Sequence, residues 1–164
     1  MPNPLLLATH ITIVLALTIT VGVQSAELTR IRTGTPADPG VPTLRAALWS
    51  TPILAVLTFL TGIALIADGS TRGPWVSAGV LSTLIIALAS VLLRLRLRRA
   101  TSGRTGLVGA VQWGVPASTL AAGFLMADRP QNIVLAFGTV AVAVAITVVA
   151  YFAASRSTTA PSRR

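Results

Sequence analysis

Cysteine is absent from this 164-residue chain, which excludes disulfides, thiolate metal sites and cysteine nucleophiles. Lysine is absent as well, so all thirteen basic side chains are arginine. There are four acidic residues and one histidine, and charged residues make up 10% of the chain against 53% apolar. Soluble domains carry about a quarter charged residues. The mean hydropathy of +0.79 therefore points to a protein whose solvent is lipid. No glycine-rich phosphate loop, nucleophile elbow or glutamate–histidine zinc motif occurs.

What the chain does contain is long charge-free runs. A helix rises about 1.5 Å per residue and must cross about 30 Å of hydrocarbon, so about 20 mostly apolar residues make a span. Runs at about 5–26, 46–67, 74–93 and 131–153 meet that length. A fifth, about 107–127, is weaker because it holds Gln112, Pro116 and three glycines, yet it carries no charge and can satisfy its backbone as a helix. The alternation in 139–146 resembles a strand, but the length of that run favours a helix. The expected fold is an all-α, five-span membrane bundle over residues 1–154, with a basic tail at 155–164.

Arginine placement sets the expected orientation. With five spans and the amino terminus outside, eleven of the thirteen arginines fall on the cytoplasmic side, leaving Arg72 and Arg129 outside, each near an aspartate. Reading the first run as a cleaved signal peptide is disfavoured, because it lacks a positive n-region and Gln24-Ser-Ala26 is a poor cleavage site. It is expected to be a retained span. The net charge of +9 sits at span ends, which fits topology and anionic headgroups and gives no reason to expect nucleic acid. Arginine without lysine, with abundant alanine, points to a high-GC bacterial source and a multi-pass protein of the cytoplasmic membrane.

The linker from Thr33 to Pro42 is rich in proline and glycine and cannot continue a helix. Two later links are short and force helical hairpins. Trp49-Ser-Thr-Pro52 and Trp113-Gly-Val-Pro116 stand 64 residues apart, and both a parallel repeat and coincidence in a biased composition account for them. Small residues at four-residue spacing (Ala8, Thr12, Ala16 and Thr20; Gly79, Thr83 and Ala87; Thr139, Ala143 and Thr147) mark faces on which helices can approach closely.

His10 is the sole candidate for proton chemistry inside a span, where an ionisable side chain is a functional hypothesis by default. Asp68 and Asp128 end the second and fourth spans in the same leaflet, so His10, Asp68 and Asp128 form the candidate catalytic set, with Trp75 and Asn132 nearby. The competing reading is a neutral interfacial histidine beside solvated turn aspartates. Gln24, Gln112 and Trp113 form a second polar set toward the other face. There Pro116 should kink its helix and release the Gln112 carbonyl to a side chain, water or ligand. An aromatic belt of Trp49, Trp113 and Tyr151 is the alternative at that level. One histidine and two aspartates are too few for a metal site, and bis-histidine haem ligation would need His10 from two chains, so no cofactor is expected.

Span-one His10, the basic loop after it, Leu60-Thr-Gly-Ile-Ala-Leu and Gly73-Pro-Trp75 together resemble the actinobacterial integral membrane proteins related to copper-resistance D-like proteins, over 5–98. The resemblance implies a helical membrane bundle. Copper handling would want clustered methionine and histidine, and this chain holds two methionines and one histidine. The inventory better suits a bundle enclosing a lipophilic small molecule, with acid/base isomerisation or cyclisation of an apolar metabolite as its catalytic form. The alternative is a non-enzymatic carrier, channel or accessory subunit that docks on a second copy or a larger membrane complex.

Overall fold

The computed structural model describes residues 3–33, 42–69, 73–98 and 104–156. The linker beyond Thr33, Arg72 and the tail from 157 lie outside the described residues. The protein is all-α, with five helices: α1 (Pro4–Arg32), α2 (Pro42–Ala67), α3 (Pro74–Arg98), α4 (Arg104–Asp128) and α5 (Ile133–Arg156). Four of them, α1, α2, α3 and α5, are long and apolar enough to cross a membrane. The helices run past the apolar stretches read from sequence, because their arginine-bearing last turns stay helical.

Local chemistry sets the helix ends. Asn3 caps α1, its side chain accepting from the Leu5 N–H at 3.0 Å, and Pro4 follows at the first helical position. Asn132 caps α5 in the same way, accepting from the Val134 N–H at 2.8 Å. α2 stops at Gly69, whose φ of +97° is open to glycine, and the Gly69 N–H reaches the Ile66 carbonyl. α4 stops at Arg129, which adopts φ +48° ahead of Pro130.

α1, α2, α3 and α4 form a ring, each packed against the next, with α1 closing on α4; α5 lies outside the ring against α4 and α3. Neighbours run antiparallel. His10 meets Thr61 while Gln24 meets Thr51, and Gly106 faces Ser155 while Gly114 faces Thr147. The buried residues of α1 include His10, Leu17, Val21, Gln24 and Leu28, with Glu27 beside them, and those of α2 include Leu44, Leu48, Thr51, Ala55, Thr58 and Leu65. These positions repeat at three, four or seven residues, the seam of a left-handed bundle. Ala8 and Thr12 of the small-residue stripe expected on α1 are exposed, because the His10–Leu28 seam takes the inward face instead.

The polarity of the fold is inverted relative to a soluble protein. Leu5, Leu120 and Val134 are each about three-quarters exposed, while Gln24, Thr51, Ser82, Ser90, Gln112 and Ser118 are buried. Hydrocarbon solvates the outer leucines, and Gln24, Thr51, Ser90 and Gln112 bond to one another or to neighbouring helices inside, while the Ser82 and Ser118 hydroxyls have no partner among the described residues. Outward threonines bond their own helices, as Thr12 Oγ1 does to the Ala8 carbonyl at 2.9 Å. α4 falls short of the hydropathy of the other helices because it is the most enclosed, packed on α1, α3 and α5, so it shows lipid little surface.

Candidate functional site

Two polar systems occupy opposite ends of the ring. At the end where most arginines gather, Gln24 Oε1 accepts from Thr51 Oγ1 at 2.9 Å and from Ser90 Oγ at 3.4 Å, joining α1 to α2 and α3. Gln112 joins α1 to α4. Its Nε2 donates to Thr29 Oγ1 and its Oε1 accepts from Arg32 Nη1, both at 2.7 Å. Pro116 has no N–H to offer the Gln112 carbonyl, and Ser25 Oγ donates to that carbonyl at 2.9 Å in its place. Beside this set, the Arg94 guanidinium lies 3.3 Å from the centroid of the Trp49 ring.

These bonds use Gln24 Oε1 and all of the polar groups of the Gln112 side chain, so the end is built as a lock between helices. Ser25→Ala should cost about 1–2 kcal/mol by orphaning the Gln112 carbonyl. That cost should shrink to a few tenths in a Pro116→Ala background, where the residue at 116 supplies the helical N–H. A double-mutant cycle on thermal unfolding in detergent checks this, and equal costs in the two backgrounds would contradict it.

At the opposite end, the ring encloses a cavity of about 570 Å³. Each ring helix contributes to its wall: His10 from α1; Thr58, Gly62 and Leu65 from α2; Trp75, Gly79 and Thr83 from α3; and Leu125 from α4, with Arg129 at the end of α4. The wall is mostly apolar. It is not sealed, since Leu7, Ile11 and Ile63 on it are 37%, 49% and 47% exposed.

His10 is buried and its Nδ1 lies 2.7 Å from Thr61 Oγ1. The Thr61 hydroxyl also donates to the Leu57 carbonyl at 2.8 Å. With that single proton committed, the imidazole donates from Nδ1, which leaves Nε2 as a hydrogen-bond acceptor. Thr58 Oγ1 and Trp75 Nε1, on two residues of the wall, are buried among protein atoms and have no partner among the described residues. The Arg129 guanidinium sits 5.8 Å from the centroid of the Trp75 ring.

The structure brings His10 and Trp75 into this cavity and disperses the other candidates. The sequence pointed to Asp68 or Asp128 as the partner of His10; Thr61 holds that place. Asp68 Oδ2 instead accepts from the Asn3 N–H, at the helix end where a negative charge is favoured. Asp128 is exposed at the end of α4 and Asn132 is a helix cap. Gln24 and Gln112 belong to the lock at the other end. Trp113 is 55% exposed and lines a shallow apolar groove between α4 and α5 with Leu120, Phe124 and Val142. Among the described residues, no group of three histidine, aspartate or glutamate side chains comes together to hold a metal.

Thr58 and Thr61 were not singled out in the sequence, whereas Arg129 stood out only as one of two arginines left outside beside an aspartate. Thr61 could have been: His10 lies six residues after the start of α1 and Thr61 six residues before the end of α2, so an antiparallel pair sets them level. Compared with known proteins, the chain matches no family model, no curated protein and no solved structure.

Proposed function

We propose that the chain is a five-span protein of a bacterial cytoplasmic membrane, amino terminus outside, whose cavity binds one lipophilic small molecule from the outer leaflet. α4 counts as the fifth span because it carries no charge between its terminal Arg104 and Asp128 and runs antiparallel to α5 along its length. The observation that carries the binding reading is the cavity itself, about 570 Å³ with a mostly apolar wall that includes His10 and Arg129. Ligand pockets share that composition, few polar groups in an apolar wall, and range over roughly 300–1,000 Å³. A hydroxyl on a ligand can donate to His10 Nε2.

Binding fits the geometry better than acid/base turnover. A catalytic imidazole gains from a carboxylate behind it that stabilises the imidazolium, and the group behind His10 is the Thr61 hydroxyl. A carrier or an accessory subunit presenting a bound molecule is therefore favoured over an isomerase.

The test uses 1-pyrenebutanol titrated into the protein in nanodiscs. A side chain built at Gly79 meets no atom within 4 Å, so Gly79→Leu should fill the cavity and leave the helices in place. Saturable binding should fall at least about tenfold in Gly79→Leu. In His10→Ala it should fall roughly three- to tenfold, the worth of one hydrogen bond. Equal uptake by wild type and Gly79→Leu would overturn the reading.

A further inference from the structure

Most arginines need no ligand to explain them. Arg30, Arg32, Arg45, Arg94, Arg96 and Arg156 all lie near helix termini at the lock end, where short cytoplasmic loops accumulate basic residues. Arg129 lies at the other end, where that rule offers no reason for it. Its backbone adopts φ +48°, a region costly for a residue with a Cβ. The turn is held by Gln131 Nε2, which donates to the Arg129 carbonyl at 3.1 Å. This conformation carries the guanidinium to the rim of the cavity, against Trp75.

No described carboxylate comes within ion-pair reach of Arg129, and Asp68 is engaged by the Asn3 N–H. The rim therefore presents one charged donor, the guanidinium. Deeper polar groups lie well apart from it. Thr58 precedes the end of α2 by nine residues, about 13 Å along the helix at 1.5 Å per residue, and the wall between is apolar.

We propose that the cavity takes an amphiphile with an acidic head group, a carboxylate or phosphate monoester, paired with Arg129 at the rim while its single chain fills the apolar interior toward His10 and Thr58. The inference rests on the cavity being a ligand site and adds the chemical class of its occupant. An anion is favoured because guanidinium–oxyanion bonds are roughly twice as strong as neutral ones.

The experiment compares 1-pyrenebutyrate with its methyl ester, two probes of the same apolar body that differ in head-group charge. Wild-type protein in nanodiscs should bind the acid about tenfold or more tightly than the ester. Arg129→Gln should bring the acid down to the affinity of the ester and leave the ester unchanged, while Gly79→Leu should lose both. Laurate or monododecyl phosphate should displace the bound acid at concentrations where dodecanol does not, and the better competitor identifies the head group. Equal binding of acid and ester by the wild type, or equal displacement by dodecanol, would overturn the acidic head group and leave the cavity reading standing. Failure of wild type to bind either probe would overturn the cavity reading itself.

Discussion

Gly114→Ala should destabilise the bundle by about 2 kcal/mol, and Gly109→Ala by at least as much, because α4 and α5 touch through these glycines. A Cβ at 114 would collide with the Thr147 side chain, coming within 2.8 Å of Cγ2. A Cβ at 109 would lie 2.5 Å from the Ala154 Cβ and 3.0 Å from the Ala150 carbonyl oxygen. The two sites differ in what can yield. At 114 the obstacle is one side chain; Thr147→Ala removes its Oγ1 and Cγ2 but leaves its Cβ at 2.9 Å, so it should restore part of the stability lost. At 109 part of the obstacle is backbone, so Ala154→Gly should restore only some of it. Gly123, where a Cβ meets nothing within 4 Å, is the control, and Gly123→Ala should be neutral or slightly stabilising. Thermal unfolding in detergent reads all five variants. A Gly114→Ala protein as stable as Gly123→Ala would contradict the close α4–α5 packing.

This packing also explains why the α4 run looked weak as a span. In lipid, apolar surface gives little drive for helices to meet, so association depends on close contact and on bonds between helices. Among the residues that lower the hydropathy of α4, Gly106, Gly109 and Gly114 permit contact with α5 and Gln112 bonds to α1. Hydropathy counts what faces lipid, and α4 faces little of it.

The helical class, the helix order and the hairpin links were legible in the sequence because each depends on local runs of residues. The release of the Gln112 carbonyl was legible too, since it follows from the missing proline N–H; the identity of its new partner, Ser25, was not, because that depends on the rotation of α1. The same rotation decided the site. Sequence placed His10, Asp68 and Asp128 at one depth, but depth does not fix direction. His10 turns toward α2 and meets Thr61, whereas Asp68 turns to the start of α1. Thr58 and Thr61 were hard to distinguish from the threonines that bond their own helices, as Thr61 itself does.

The orientation of the bundle carries the greatest weight, because a cavity open to the outer leaflet requires the His10 end to face outward. Eleven of thirteen arginines fall at one end when five helices cross. Moving several of them across a membrane would oppose the bias that sets topology, so the two orientations differ by an all-or-none result. The chain has no cysteine, so single cysteines introduced at Ser70, between α2 and α3, and at Ser102, between α3 and α4, report without background. A membrane-impermeant maleimide applied to intact cells should label the position-70 variant fully and the position-102 variant only after permeabilisation. Labelling of both from the same side, or of position 102 alone from outside, would contradict a five-span bundle with its cavity in the outer leaflet.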